Sequence, residues 1–200
     1  LSFKFSEEEE DSPELAAVLK ALPEDVFRYV LLRKVELEED SVITLQELQE
    51  VINSDLSQGI AGQVSRISKM LDNFFDGRIP EPGLTGAADK ELIRYCQETV
   101  KLYRENFASL NISKVLDCIW ELIAFVNRYL VATEPWKIAR DASKKEKLGA
   151  ILYNIAEAMR IICMLLHPII PASSLKMMRQ LGASTESADL MQNGFGWGGL

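Results

Sequence analysis

Between residues 44 and 182 apolar side chains return every three or four positions, and proline or glycine cuts the pattern into pieces of helical length. That spacing is one face of an α-helix, so the chain is constrained to bury helical stripes against one another. The first stripe is Leu45, Leu48, Ile52, Leu56, Ile60, Ile67, Leu71 and Phe74. Thr44 and Glu47 open it with the spacing of a capping box, and Asp76-Gly77 closes it. Pro80, Pro82, Gly83 and Gly86 then predict a loop. Further helices are expected over roughly 88–107 and roughly 113–132, the second carrying Val115, Ile119, Leu122, Val126 and Leu130. Residues 133–136, Thr-Glu-Pro-Trp, read as a break followed by a short helical turn. Ser143 and Glu146 match a second capping box before Leu148, Ile151, Leu152, Ile155, Met159, Ile162 and Leu166, a helix that Pro168 and Pro171 should stop. A short helix near 173–181 ends at Gly182. No strand pattern and no internal repeat stand out. The expected fold is all-α, a bundle of about four or five long helices with short ones at its ends.

Charge divides the chain differently. Residues 1–50 hold 5 Lys or Arg against 14 Asp or Glu, and residues 51–200 hold 17 against 16. The net charge of −8 therefore belongs to an acidic arm on a neutral body. A neutral body does not attract every polyanion, so any RNA binding must rest on specific contacts. The arm contains the run Glu7, Glu8, Glu9, Glu10, Asp11, the N-terminal helix signal Ser12-Pro13-Glu14, and a second start at Pro23 with Val26, Phe27, Val30 and Leu31 on one face. Residues 35–43 read as an acidic connection. The expected division is 1–43 arm and short helices, 44–182 bundle, and 183–200 an irregular glycine-rich end.

Few residues offer chemistry. Cys96, Cys118 and Cys163 are too far apart for a metal-binding pair and sit in helical patterns, so buried free thiols are expected, which suits a cytoplasmic protein. The single histidine, His167, lies among Leu165, Leu166, Ile169 and Ile170 and reads as structural rather than catalytic. Glu98 with Glu105, and Glu38 with Glu39, read as solvated carboxylates. The glycines of residues 194–199 lack the strand and helix of a dinucleotide fingerprint. No run of 18 apolar residues and no secretory leader occur. Neither catalytic nor metal-ligating residues are expected.

Four stretches taken together resemble the methionyl-tRNA synthetases. Residues 25–33, Asp-Val-Phe-Arg-Tyr-Val-Leu-Leu-Arg, look like the segment joining a class I catalytic domain to its helical bundle. Residues 52–66, Ile-Asn-Ser-Asp-Leu-Ser-Gln-Gly-Ile-Ala-Gly-Gln-Val-Ser-Arg, continued by 73–77, resemble the first bundle helix. Residues 126–139 resemble the family's Asn-x-Tyr and Pro-Trp segment, and residues 152–171 its last long helix. The closing Trp-Gly-Gly-Leu of residues 197–200 is similar to the exit from that bundle.

The resemblance implies an anticodon-binding domain that recognises CAU in methionine tRNA, with Trp136 and Arg66 as the reading groups. An unpaired base stacks on an indole for about 1–3 kcal/mol, and a guanidinium forks onto two acceptors of a base edge. Arg66 falls off the apolar stripe and shares a face with Gly62, Lys69 and Asn73. Where the family has an asparagine four residues before the arginine, this chain has Gly62, and neighbouring Gln63 is the candidate substitute, about 100° around the helix. Gly59 and Gly62 leave backbone bare mid-helix, either for a ligand or for a packed helix. Lys137 and Arg140, in a stretch that also holds Lys144, Lys145 and Lys147 against Asp141 and Glu146, join Lys69 as candidate contacts to the RNA backbone. Trp120, among Ile119, Leu122 and Ile123, is expected to face the core.

The family's His-Ile-Gly-His and Lys-Met-Ser-Lys-Ser signatures are missing, and Ser68-Lys69-Met70 is only an echo within a helix. A chain that opens at Leu1 without those signatures is expected to be joined to a catalytic domain upstream, where ATP and Mg2+ would be bound, and to be inactive by itself. Any dimerisation module would lie beyond Leu200. The expected partners are methionine tRNA and that catalytic domain, without membrane or DNA. Two alternatives stay open: a synthetase-like bundle used for protein interaction, and the bundle of another class I synthetase.

Overall fold

The computed structural model describes residues 3–5, 13–34, 41–83, 86–186 and 194–200. The acidic run 7–11, the Ser12 cap and residues 35–40 lie outside them.

Helix α1 spans Pro13–Ala21 and α2 spans Glu24–Lys34, with acids in the first turn of α2 and Arg33 and Lys34 in its last, the arrangement the helix dipole favours. The predicted capping box forms: Thr44 Oγ1 accepts from the Glu47 N–H at 3.2 Å, and the Glu47 carboxylate accepts from the Thr44 N–H at 3.0 Å. Those bonds hold the Glu47 carboxyl below its usual range. Helix α3 (Leu45–Val51) runs through a π-wound stretch, Ile52–Ala61, into α4 (Gly62–Phe75). The single helix expected from the stripe therefore changes its hydrogen-bond register in the middle. Asp76, in the left-handed region at φ 52°, ends it. Helices α5 (Ala87–Ala108) and α6 (Ile112–Thr133) form an antiparallel pair, α7 is the four-residue turn Pro135–Ile138, and α8 (Lys145–Leu166) and α9 (Pro171–Gln180) complete the bundle.

Three local expectations are corrected. Ser143 and Glu146 do not form a capping box. Residues 142–144 make a 3-10 turn, and the Asp141 carboxylate accepts from the Ser143 N–H at 3.1 Å and from its hydroxyl at 2.6 Å. Ser143 is spent as a donor, and α8 starts at Lys145 behind Lys144, which gives no side-chain cap. Pro171 does not stop α8 but opens α9, where a missing N–H costs nothing. Finally, β1 (Phe3–Phe5) pairs in parallel with β2 (Ser41–Ile43), Lys4 opposite Val42. Strands of three residues are too short for alternation to register in a sequence.

The core centres on α8. The sequence shows one stripe there, yet every residue from 148 to 166 is buried. A helix apolar on all sides belongs in the middle of a fold. By length and composition α8 is also apolar enough to cross a membrane, but here it is enclosed by α4, α5, α6, α7 and α9. Its two buried charges, Glu157 (0% exposed) and Arg160 (2%), are ion-paired at 2.7 Å. The chain end completes their shells. Arg160 donates to the carbonyls of Gly194 and Gly196, and Glu157 accepts from the N–H groups of Gly198 (2.7 Å) and Gly199 (3.0 Å). A Cβ on Gly199 would lie 2.7 Å from the guanidinium carbon, which its hydrogen bonds prevent from moving. Residues 194–200 are thus irregular but tied down.

Cys96, Cys118 and Cys163 are free and buried; burial pushes Cys96 and Cys163 up to about 12 and Cys118 to about 11. His167 caps the end of α8, its Nδ1 2.8 Å from the Ser174 hydroxyl.

Candidate nucleic-acid interface

The face of α4 expected to look outward does so. Ile60, Val64, Ile67 and Leu71 are buried, while Arg66, Lys69 and Asn73 are exposed. Among the described residues, no ion pair engages Arg66, Lys69 or Arg140. Gln63 turns the other way. It is 8% exposed, and its amide donates across the bundle to the Ile123 carbonyl of α6 at 3.5 Å.

The two helix glycines divide the readings left open for them. At Gly59 a Cβ would lie 2.8 Å from both the Ser54 carbonyl oxygen and the Trp120 ring, so the bare backbone there is occupied by the chain itself. At Gly62 only the Ser57 carbonyl oxygen comes near, at 3.3 Å, and the space in front is open one turn from Arg66.

Trp136 is placed by the break before it. Glu134 adopts φ 44°, ψ 54°, at once ending α6 and starting α7. That left-handed conformation costs an L-residue about 1–2 kcal/mol. Its N–H still bonds the Leu130 carbonyl at 3.2 Å, and its own carbonyl accepts from the Lys137 N–H at 2.8 Å. The reversal buries Pro135 and leaves the Trp136 indole 39% exposed. Lys137 is ion-paired with Glu134 at 2.6 Å on the surface, and Arg140 is exposed. The candidates therefore fall into two sets, the half-buried Gly62 with exposed Arg66 and Lys69 on α4, and exposed Trp136, Lys137 and Arg140 around α7. Both helices pack against α8.

Beside the second set lies a hollow of about 1010 Å3, walled by Phe75, Asp89, Thr133, Lys145 and Lys147 among others. Lys145 Nζ stands 5.6 Å over the Phe75 ring, which joins the start of α8 to the end of α4. Asp89, 7% exposed, accepts from the Tyr129 hydroxyl and from the Gly86 N–H at 2.7 Å. Among the described residues no group of His, Cys, Asp or Glu is gathered to hold a metal ion.

A network behind α4 was not visible in the sequence. Tyr29 of α2, wholly buried, donates to Asp55 at 2.8 Å and accepts from Trp120 Nε1 at 2.6 Å. Arg33 reaches Asp117 at 2.8 Å and Asp55 at 3.5 Å. Burial, with the Asp55 carboxylate alongside, pushes the Tyr29 phenol far up. Trp120 thus packs inward, as expected, with its polar edge satisfied. Sequence spacing within one helix carries no sign of partners 26 and 91 residues away.

Comparison with known proteins gives the family. Residues 79–193 match the family model for the anticodon binding domain of methionyl tRNA ligase, and residues 3–68 match that for class I tRNA synthetases (M). Trp136 falls in the first match and Arg66 in the second. A methionine–tRNA ligase of Caldanaerobacter subterraneus subsp. tengcongensis is 37% identical over 81% of the chain, and that of Bacillus subtilis is 36% identical over 82%. In both cases the chain spans 25% of the relative's length. The apo crystal structure of Mycobacterium tuberculosis methionyl-tRNA synthetase superposes with a TM-score of 0.81 at 26% identity, over 92% of this chain and 37% of that one.

Proposed function

Since the chain belongs to the methionyl-tRNA synthetase family, we propose that its bundle recognises the CAU anticodon of methionine tRNA as part of an ATP-dependent methionine–tRNA ligase. The observation that carries this reading is the exposed Trp136 at a left-handed turn, together with the Arg66 guanidinium on the outer face of α4, which no ion pair engages among the described residues, both on helices packed against α8. The indole offers a plane for one flipped-out base, and the guanidinium offers a bidentate donor for a base edge. Gly62 leaves room beside Arg66 rather than a polar contact. Gln63 is committed to α6 and takes no part in reading. Lys69 and Arg140 meet the phosphate backbone, with Lys137 joining them if RNA displaces its partner Glu134.

In this reading residues 1–43 join the bundle, 44–182, to a catalytic domain that binds ATP, Mg2+ and methionine, and 183–200 form an irregular glycine-rich end, in which Gly194, Gly196, Gly198 and Gly199 bond the charges of α8. The partners are methionine tRNA and that catalytic domain, in the cytoplasm. The methionine-specific family match favours this over the bundle of a neighbouring class I synthetase.

The test is a binding titration of the chain with an anticodon hairpin carrying CAU. Trp136→Ala is expected to weaken binding by about 1–3 kcal/mol. Equal affinity of the unaltered chain for a hairpin with a changed anticodon would overturn the reading, and no binding at low salt would favour a protein-interaction role instead.

A further inference from the structure

The π-wound stretch lies directly before α4, and two side chains from other helices hold it. Ordinary α winding advances 100° per residue, whereas i→i+5 bonding widens the turn and changes that advance. Where the π stretch begins and ends therefore helps set the direction in which every later side chain points. Such stretches are rare, and they are frequent at functional sites.

Two points on this stretch are fixed from outside. Asp55 accepts the Tyr29 hydroxyl hydrogen bond and faces Arg33. Gly59, four residues on, lies so close under the Trp120 ring that no side chain fits there. Tyr29 and Trp120 are themselves joined, hydroxyl to indole N–H, at 2.6 Å. One residue of α2 and one of α6 thus form a bonded clip across a single π turn. Arg33 closes it on the outer side by bridging Asp55 to Asp117. Arg66 lies seven residues beyond Gly59, about two turns and about 10 Å along the axis.

We infer that Tyr29 and Trp120, by clipping the π-wound stretch at Asp55 and Gly59, are positioning residues for Arg66 and so for the selectivity of anticodon reading. The inference rests on the anticodon-binding role proposed above and adds which residues aim its guanidinium. Neither residue touches RNA. Tyr29→Phe removes the shared hydroxyl, leaving Asp55 and the indole N–H without that partner, and loosens the turn that leads into α4, so that the Arg66 guanidinium is aimed less sharply. Val64 and Ile67 still hold α4 on the core, so the change is one of aim rather than of folding.

The experiment measures the affinity of the full chain for two RNA hairpins, one with CAU and one with a single changed anticodon base. The readout is the ratio of the two affinities. Tyr29→Phe is expected to lower that ratio about tenfold, within the range one bidentate base contact supplies. In an Arg66→Ala background it should lower the ratio no further, because the contact being aimed is already gone. Leu116→Ala, at a fully buried core site, should lower Tm and leave the ratio alone. If Tyr29→Phe does not fold, Trp120→Phe removes both the N–H and the outer indole ring that lies over Gly59, breaks both arms of the clip, and carries the same test. An unchanged ratio, or equal losses with and without Arg66, overturns the inference while the anticodon reading stands. An unaltered chain that binds both hairpins equally overturns both.

Discussion

Helices α4 and α8 are neighbours of similar chemistry and opposite fate. Each carries an arginine: Arg160 on α8 is 2% exposed, bonded to Glu157 and to two carbonyls of the chain end, and Arg66 on α4 is exposed with no ion pair among the described residues. The first guanidinium is fully spent inside the protein, and the second is available to something else. Where a charge sits in the packing, rather than its presence, decides whether it serves the fold or a ligand. Buried ion pairs carry a large desolvation cost that only complete hydrogen bonding offsets, and surface cations carry almost none.

The strongest way to break this contrast is Glu157→Ala. It leaves Arg160 charged and unpaired in the core and should cost about 3–5 kcal/mol, read as a lowered midpoint in urea. A loss below about 1 kcal/mol would show that the pair is not structural. Next comes the mirror experiment, Trp136→Ala, in which RNA affinity falls by about 1–3 kcal/mol while unfolding free energy shifts by no more than about 0.5 kcal/mol, as at ordinary surface sites. A large stability loss there would place the indole with the core instead. Thr44→Ala, at the start of the helix that leads into α4, should cost about 1 kcal/mol through the lost cap, with RNA selectivity unchanged.

The remaining expectations are in titration. The thiols of Cys96 and Cys163 are pushed up to about 12 by burial, so above the unfolded thiol value of roughly 8.5 the unfolded chain releases protons that the native one keeps. Stability should therefore fall as pH rises from about 9 to about 12, and the native thiols should stay inert to aromatic disulfides at pH 8 until denaturant is added. At the acid end, Asp141, held down to about 2 chiefly by the Ser143 hydroxyl, supports the start of α8 above about pH 4 and loses that role as pH drops toward 2. Fraying of residues 142–147 in amide exchange reports it.

Much of this was legible beforehand. The helix order, the Thr44 cap, the outward face of Arg66 and the break before Trp136 all follow from periodicity and local hydrogen bonding, which are properties of neighbouring residues. What escaped depends on distant partners. Glu157 and Arg160, three residues apart, read like any surface pair on a helix, because the glycines that complete their shells come more than 30 residues later. Gln63 was assigned to the RNA side, although α6 supplies an acceptor that draws it inward. Gly59 and Gly62 look alike in sequence, and the distant Trp120 ring over the first is what no spacing within the helix could show. The Ser143 cap failed because Asp141, two residues earlier, is the better acceptor.

The three indoles stand in unlike surroundings: Trp120 is half-buried and bonded to Tyr29, Trp197 is packed with the chain end, and Trp136 is 39% exposed. Indole emission shifts to the red with exposure to water, so the reddest component is expected from the position proposed to meet a nucleobase. Iodide should quench that component first, and a stacked base should shield it, so the molecule carries its own optical gauge of occupancy without an attached dye.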